Sequence, residues 1–281
     1  MNVLTPRELP ELFAALAAPG ARVLAGGTDL LVRLRADLRQ GRKVPSSLVR
    51  LDGLEELCGV AREPDGALRL GAATTHAGLL AHPLVRVELP VLAAALADLG
   101  SPPIRNMGTL GGNLCTASPA GDTLPPLMVL GASVELASAA GVRRMALADF
   151  ITGPGRTRLA PGEIVTAVLA PSAREFAVRH FEKVGRRSAL AVAVVSLAAL
   201  LRLDARGKAV EARLAWGSVG PTVWRCPEAE AALLGQRPTL TALKRAAAVV
   251  RARVQPIDDL RASAAYRSEV AGNLLLRLAA L

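Results

Sequence analysis

Residues 105–126, RNMGTLGGNLCTASPAGDTLPP, constrain this chain more than any other stretch. Gly108, Gly111, Gly112 and Gly121, interleaved with Thr109, Thr116, Ser118 and Thr123, break every apolar period, so neither helix nor strand is expected there. A segment so poor in bulk lets backbone approach a ligand closely. The regular patterns on either side must then supply the scaffold that holds it.

Before it, residues 11–18 read as a helix stopped by Pro19-Gly20, and 21–24 as a strand running into Gly26-Gly27. Residues 30–38 read as helical, 47–49 as a strand and 51–57 as a turn with a short helix. Residues 60–73 alternate around Pro64-Asp65-Gly66 as a hairpin would, and the alanine-rich 88–99 reads as one helix. Beyond it, 129–136 and 164–169 read as strands separated by the turn-rich ITGPGRTRLAPGE, and Pro171 marks a domain boundary. Three strands follow at 176–183, 191–203 and 209–219, with 204–207 as a hairpin turn. From Pro227 onward leucine and alanine recur at helical spacing, broken near Gly235 and Pro256, which predicts a small sheet backed by helices.

With 281 residues, 51% of them hydrophobic and only seven aromatic, the chain must bury a mostly aliphatic core, most simply in two domains. Its 34 basic residues, against 24 acidic, favour negatively charged ligands or partners. The scarcity of stacking aromatics argues against nucleic acid. Cys58, Cys115 and Cys226 fit neither a disulfide framework nor a metal knuckle, and His76, His82 and His180 have no ligand spacing, so no metal ligand is expected. The longest apolar run, 189–201, is too short to cross a bilayer, and the start lacks a secretion-type apolar region, so a cytoplasmic protein is expected.

Individual signals leave alternatives open. LAGGTDL at 24–30 is either a simple turn or a loop whose amides can face a phosphate, with Asp29 bonding local backbone or a ligand hydroxyl. GTLGGN at 108–113 lacks the order and context of a dinucleotide fingerprint, and no phosphate-loop lysine motif occurs. Asp122 reads as a cap or a sugar-hydroxyl ligand, and Lys183 as an exposed turn residue or a stabiliser of negative charge. Arg105 reads as a bridge to carboxylates at an interface, His76 as a turn or core residue, and Cys115 as a small buried residue.

Together, LAGGTDL (24–30), IRNMGTLGGNLCTASPAGDTLPPL (104–127), LAPGEI (159–164), KVGRRSALAVAVVSLAA (183–199) and GSVGPTVWR (217–225) resemble a known family. It is the flavin-binding medium subunit of the molybdenum hydroxylases, the xanthine dehydrogenase and carbon monoxide dehydrogenase group. The resemblance spans nearly the whole chain. It implies an α+β fold: a two-lobed FAD-binding domain of the vanillyl-alcohol oxidase and p-cresol methylhydroxylase type at 1–171, with lobes of about 1–55 and 56–171, then a small carboxy-terminal α+β domain at 172–281 with an antiparallel sheet and helices.

The same resemblance places Ala25, Gly26, Gly27, Thr28 and Asp29, and Thr109, Leu110, Gly111, Gly112 and Asn113, around the FAD pyrophosphate. Asp122 would bind cofactor hydroxyls, Leu99 and Ile164 would pack on the cofactor, and Lys183 would lie near the isoalloxazine. No catalytic acid–base residue is implied. The implied role is electron transfer within a multi-subunit enzyme, from [2Fe-2S] clusters of a small partner subunit to NAD+, quinone, oxygen or another acceptor. Molybdopterin would sit in a large partner subunit, in a dimer of heterotrimers. Two other roles stay open: a self-contained flavoprotein oxidoreductase, such as the enolpyruvyl reductase group, and a non-catalytic assembly subunit.

Overall fold

The computed structural model describes residues 1–280. Strands β1 (Asn2–Leu4), β2 (Ala21–Leu24) and β3 (Ser47–Arg50) form an all-parallel sheet in the order β1-β3-β2. Parallel neighbours need crossovers, and helices α1 (Leu9–Leu16) and α2 (Leu30–Arg39) supply them. This lobe is small. Its core is Leu12, Val49, Leu51, Leu54 and Leu57, and it is completed by Ile164 from far along the chain.

The next lobe is built on a five-stranded antiparallel sheet. Strands β4 (Val60–Arg62) and β5 (Leu68–Gly71) pair as the hairpin expected from the alternation, with Val60 opposite Leu70. The last strand of the lobe lies between that hairpin and a second one. Helices α3 (His76–Ala81), α4 (Pro83–Glu88) and α5 (Pro90–Asp98) cover the sheet; the single helix expected over 88–99 is broken at Leu89 because Pro90 opens a new one.

The expectation of no helix over 105–126 is wrong. That stretch is mostly helical: α6 (Pro102–Met107), α7 (Leu110–Thr116) and α8 (Leu124–Val129). Each is about two turns or less, too short for an apolar period to emerge. The ends carry the signal instead: Ser101 Oγ accepts from Ile104 N, Thr109 Oγ1 accepts from Gly112 N, and prolines sit in the first turns of α6 and α8.

The strand expected at 129–136 starts later, because Val129 closes α8. It is β6 (Ser133–Ser138), paired with an edge strand the sequence did not reveal, β7 (Gly141–Ala146). After α9 (Leu147–Phe150), the turn-rich stretch holds a two-stranded ribbon, β8 (Ile151–Gly153) with β9 (Arg156–Thr157). Strand β10 (Ile164–Ala170) then enters the sheet between β5 and β6 and is buried along its whole length.

The carboxy-terminal sheet runs β11 (Val178–Val184), β12 (Val195–Leu203), β13 (Ala209–Gly217) and β14 (Trp224–Arg225), all antiparallel and in sequence order. Its two faces pack into different cores, as side-chain alternation requires. Phe181, Ala198, Leu200 and Ala215 join the core beneath α5 and α8. Leu197, Ala199, Leu201, Leu214 and Trp216 pack instead against α10 (Pro227–Leu233), α11 (Leu240–Arg253) and α12 (Ala264–Leu276). Trp216 Nε1 donates to Ala271 O at 3.0 Å, so the one polar atom of that ring is satisfied inside the core. Among the described residues no helix is long and apolar enough to cross a membrane.

Candidate cofactor site

Two turns rich in glycine, one from each lobe, meet where β2 and α6 end. A Cβ on Gly26 would stand 1.7 Å from Met107 O and 3.1 Å from Gly108 Cα, so the β2–α2 turn lies directly on the backbone that ends α6. No other residue type fits there. Thr116 Oγ1 donates to Asp29 Oδ2 at 3.0 Å and ties α7 to the start of α2. Around this junction the two lobes leave a cleft of about 530 Å³.

Ala25, Gly26, Gly27, Thr28, Asp29, Leu99, Thr109, Gly111, Gly112, Asn113 and Ile164 all line the cleft, so most residues expected at the site do converge. Leu110, Asp122 and Lys183 do not. Leu110 is fully buried in the core of the larger lobe. Lys183, on β11, donates to Asp122 Oδ2 and to Asp98 O, both at 2.7 Å. This pair is almost wholly buried. It is neither an exposed turn nor a helix cap, and it braces the chain next to Leu99. Burial, opposed by the Lys183 ammonium, pushes the Asp122 carboxyl up to about 6, and its Oδ1 has no partner among the described residues. Arg105 bridges no carboxylate among the described residues; its Nη1 donates to Leu99 O at 2.9 Å and holds the same turn.

The two glycine turns differ in what they offer a ligand. In the second, Leu110 N donates to Thr74 O, Gly111 N to Ala72 O, Gly112 N to Thr109 Oγ1 and Asn113 N to Thr109 O. Those donors are spent. Gly111 is there for packing, since a Cβ would come within 2.7 Å of Ala72 Cβ. In the first turn, the N–H groups of residues 25–29 have no intramolecular acceptor among the described residues, and α2 begins to donate only at Leu31. Gly27, at φ +71°, bends this row of free donors. Successive unpaired amides in a turn make an anion-binding concavity.

The sequence did not single out Arg22, Arg33 or Glu163 as wall residues, nor give His76 a ligand role. Arg22 is carried by β2, and Arg33 sits one helical turn beyond Leu30; neither guanidinium meets a carboxylate among the described residues. They add positive potential to the cleft. Glu163 is held as a carboxylate by Arg143, 2.6 Å away, which lowers its pKa. Cys115 is not the small buried residue expected, for it presents surface to the cleft, although the enclosing protein pushes its thiol up to about 12. No cluster of metal-ligating side chains occurs among the described residues.

Residues 1–173 match the family described as the FAD binding domain in molybdopterin dehydrogenase, and 179–280 match the CO dehydrogenase flavoprotein C-terminal domain. The chain belongs to the FAD-binding medium subunits of the molybdenum hydroxylases. It is 35% identical over 250 residues to the xanthine dehydrogenase FAD-binding subunit of Escherichia coli O157:H7, covering 89% of this chain and 84% of that one. It is 32% identical over 275 residues to the carbon monoxide dehydrogenase medium chain of Afipia carboxidovorans, covering 97% and 93%. In quinoline 2-oxidoreductase from Pseudomonas putida 86, one chain superposes with a TM-score of 0.93 at 31% identity, covering 100% of this chain and 95% of that one. Medium subunits of this family are oxidoreductase components, and the two-lobed domain followed by an antiparallel sheet with helices is their shared fold.

Proposed function

We propose that this chain binds FAD in the central cleft and serves as the electron-transfer subunit of a molybdenum hydroxylase. The observation that carries the reading is the row of unengaged N–H groups at 25–29, folded over glycines at the mouth of a cleft walled by Leu99 and Ile164. A dianionic pyrophosphate matches the amides and the guanidinium groups of Arg22 and Arg33; a flat apolar ring matches the aliphatic walls. FAD, when bound, supplies reversible redox chemistry at its isoalloxazine ring. The chain's own residues bind it and shield it.

Thr109, Gly111, Gly112 and Asn113 contribute by shape, since their amides are internally bonded, with Thr109 N as the exception. Asp122 and Lys183 act from behind the wall by holding Asp98–Leu99 in place. No poised acid–base pair lines the cleft among the described residues: Asp29 is bonded to Thr116, Glu163 to Arg143, and the Cys115 thiol stays protonated. Such a site positions a redox cofactor rather than turning over an organic substrate.

In this reading the working enzyme includes a large molybdopterin subunit and a small subunit with two [2Fe-2S] clusters, assembled as a dimer of heterotrimers in the cytoplasm. Electrons leave this chain for NAD+, quinone, oxygen or another acceptor. The chain divides into a cofactor domain at 1–171 and a second domain at 172–281. The test is an absorption spectrum of the natively purified protein, with co-purifying chains identified and the released cofactor weighed by mass spectrometry. FAD together with two redox partners is expected. Turnover by the lone flavinated chain would replace the reading with a self-contained oxidoreductase, and an intact complex without flavin would replace it with an assembly role.

A further inference from the structure

One polar side chain in the cleft has no assigned task. His76 lines the cleft, yet only 3% of its surface is exposed. Its main-chain N–H donates to Gly108 O at 2.9 Å, which fixes the residue. Nδ1 is sealed in protein without a partner among the described residues. Nε2 also has no protein partner among the described residues and, unlike Nδ1, is not sealed, in a residue that lines the cleft.

Gly108 makes that access possible. A Cβ on it would lie 3.0 Å from His76 Cδ2 and 3.4 Å from Nε2, so any side chain there would press on this edge of the imidazole. The same Gly108 abuts Gly26. Imidazole edge, Gly108 and the free-amide turn are thus in successive contact. Burial lowers the imidazole to about 4, so the ring is neutral near pH 7 and carries a single N–H. A sealed N–H without an acceptor is the rarer and costlier orphan, whereas a sealed lone pair is better tolerated. The proton therefore belongs on Nε2.

We propose that the Nε2–H of His76 is a side-chain donor to the diphosphate of bound FAD, working beside the amides of residues 25–29. The proposal rests on the FAD reading above. On the α3–α7 side of the cleft such a donor adds to Thr109 N, because the amides of residues 110–113 are already bonded. His76 is a binding residue here, with no part in the redox step.

The test uses the full chain with its flavin removed, titrated with FAD and with riboflavin, which lacks the diphosphate, by quenching of flavin fluorescence. His76→Phe keeps a planar ring and deletes the donor. We expect FAD binding to weaken about ten- to hundredfold, the range for a hydrogen bond to a charged group, with riboflavin binding unchanged. FAD affinity within about twofold of wild type, or equal weakening for both flavins, would overturn the proposal. Failure of the wild-type chain to bind FAD would instead remove the reading beneath it.

If the variant does not fold, side-chain 15N spectra of the wild type decide the matter, since His82 and His180 are the only other histidines. The expected result is a proton on Nε2 of His76 and a shift of that nitrogen when FAD is added. A proton on Nδ1, or an Nε2 unmoved by FAD, sinks the idea.

Discussion

A methyl group decides whether the two turns can touch. Gly26→Ala would drive Cβ into the Met107 carbonyl, a backbone atom that cannot swing away, so the β2–α2 turn must lift off α6. We expect a loss of about 1–3 kcal/mol in chemical denaturation, together with loss of retained flavin. Gly153→Ala is the control: its nearest neighbour would be 3.9 Å away, and the stability should stay within about 0.5 kcal/mol. Asp122 makes a second prediction through its buried pair. Its folded pKa, about 6, lies above its value in an unfolded chain, so its contribution to stability is complete below about pH 4 and lost as pH rises through 6. The stability of wild type relative to Asp122→Asn should therefore fall between pH 4 and 6; a rise would show that attraction to Lys183 outweighs burial. At this scale the glycine turns were legible because their demand is steric and local. The spent state of Leu110 and Gly111 was not, because their acceptors, Thr74 and Ala72, belong to a separate turn nearly 40 residues earlier in the chain.

Helix α7 shows what a short element requires. Leu110–Thr116 contains two glycines and a single apolar pair, Leu110 and Leu114, so tertiary contacts and its cap must hold it. Thr109 Oγ1 caps it by accepting from Gly112 N at 3.2 Å. Thr109→Ala should cost about 1 kcal/mol, and Thr109→Ser should restore most of it, as read by denaturant midpoints. Equal loss in both variants would assign the effect to the buried methyl rather than to the cap. Caps and first-turn prolines explain why the sequence misled over 105–126: periodicity needs several turns to show, and here each helix is announced only at its start. The same reasoning accounts for β10, whose apolar run, interrupted only by Thr166, was readable because it is covered on both faces. Edge strand β7, mostly exposed and carrying Arg143 and Arg144, has no alternation to read.

In the whole molecule, the division seen near residue 171 in the sequence does not divide the packing. The carboxy-terminal sheet lends Phe181, Ala198, Leu200 and Ala215 to the core of the larger lobe, and Arg213 Nη1 donates to Val129 O at 3.2 Å. Lys183 crosses the same seam to Asp122 and Asp98. Ile164, from the larger lobe, completes the core of the first lobe and lines the cleft as well. The cleft is thereby connected to the cores of both lobes, the larger of which takes in one face of the carboxy-terminal sheet, and the chain should melt as one unit. Leu200→Ala leaves the cofactor residues untouched and removes a fully buried side chain on the seam. It should cost about 2–5 kcal/mol. In calorimetry with flavin fluorescence followed in parallel, the variant should show a single transition at lower temperature, with cofactor release moving down by the same amount. Two separated transitions, or flavin release that stays at the wild-type temperature, would show that the two domains fold independently and that the seam does not support the site.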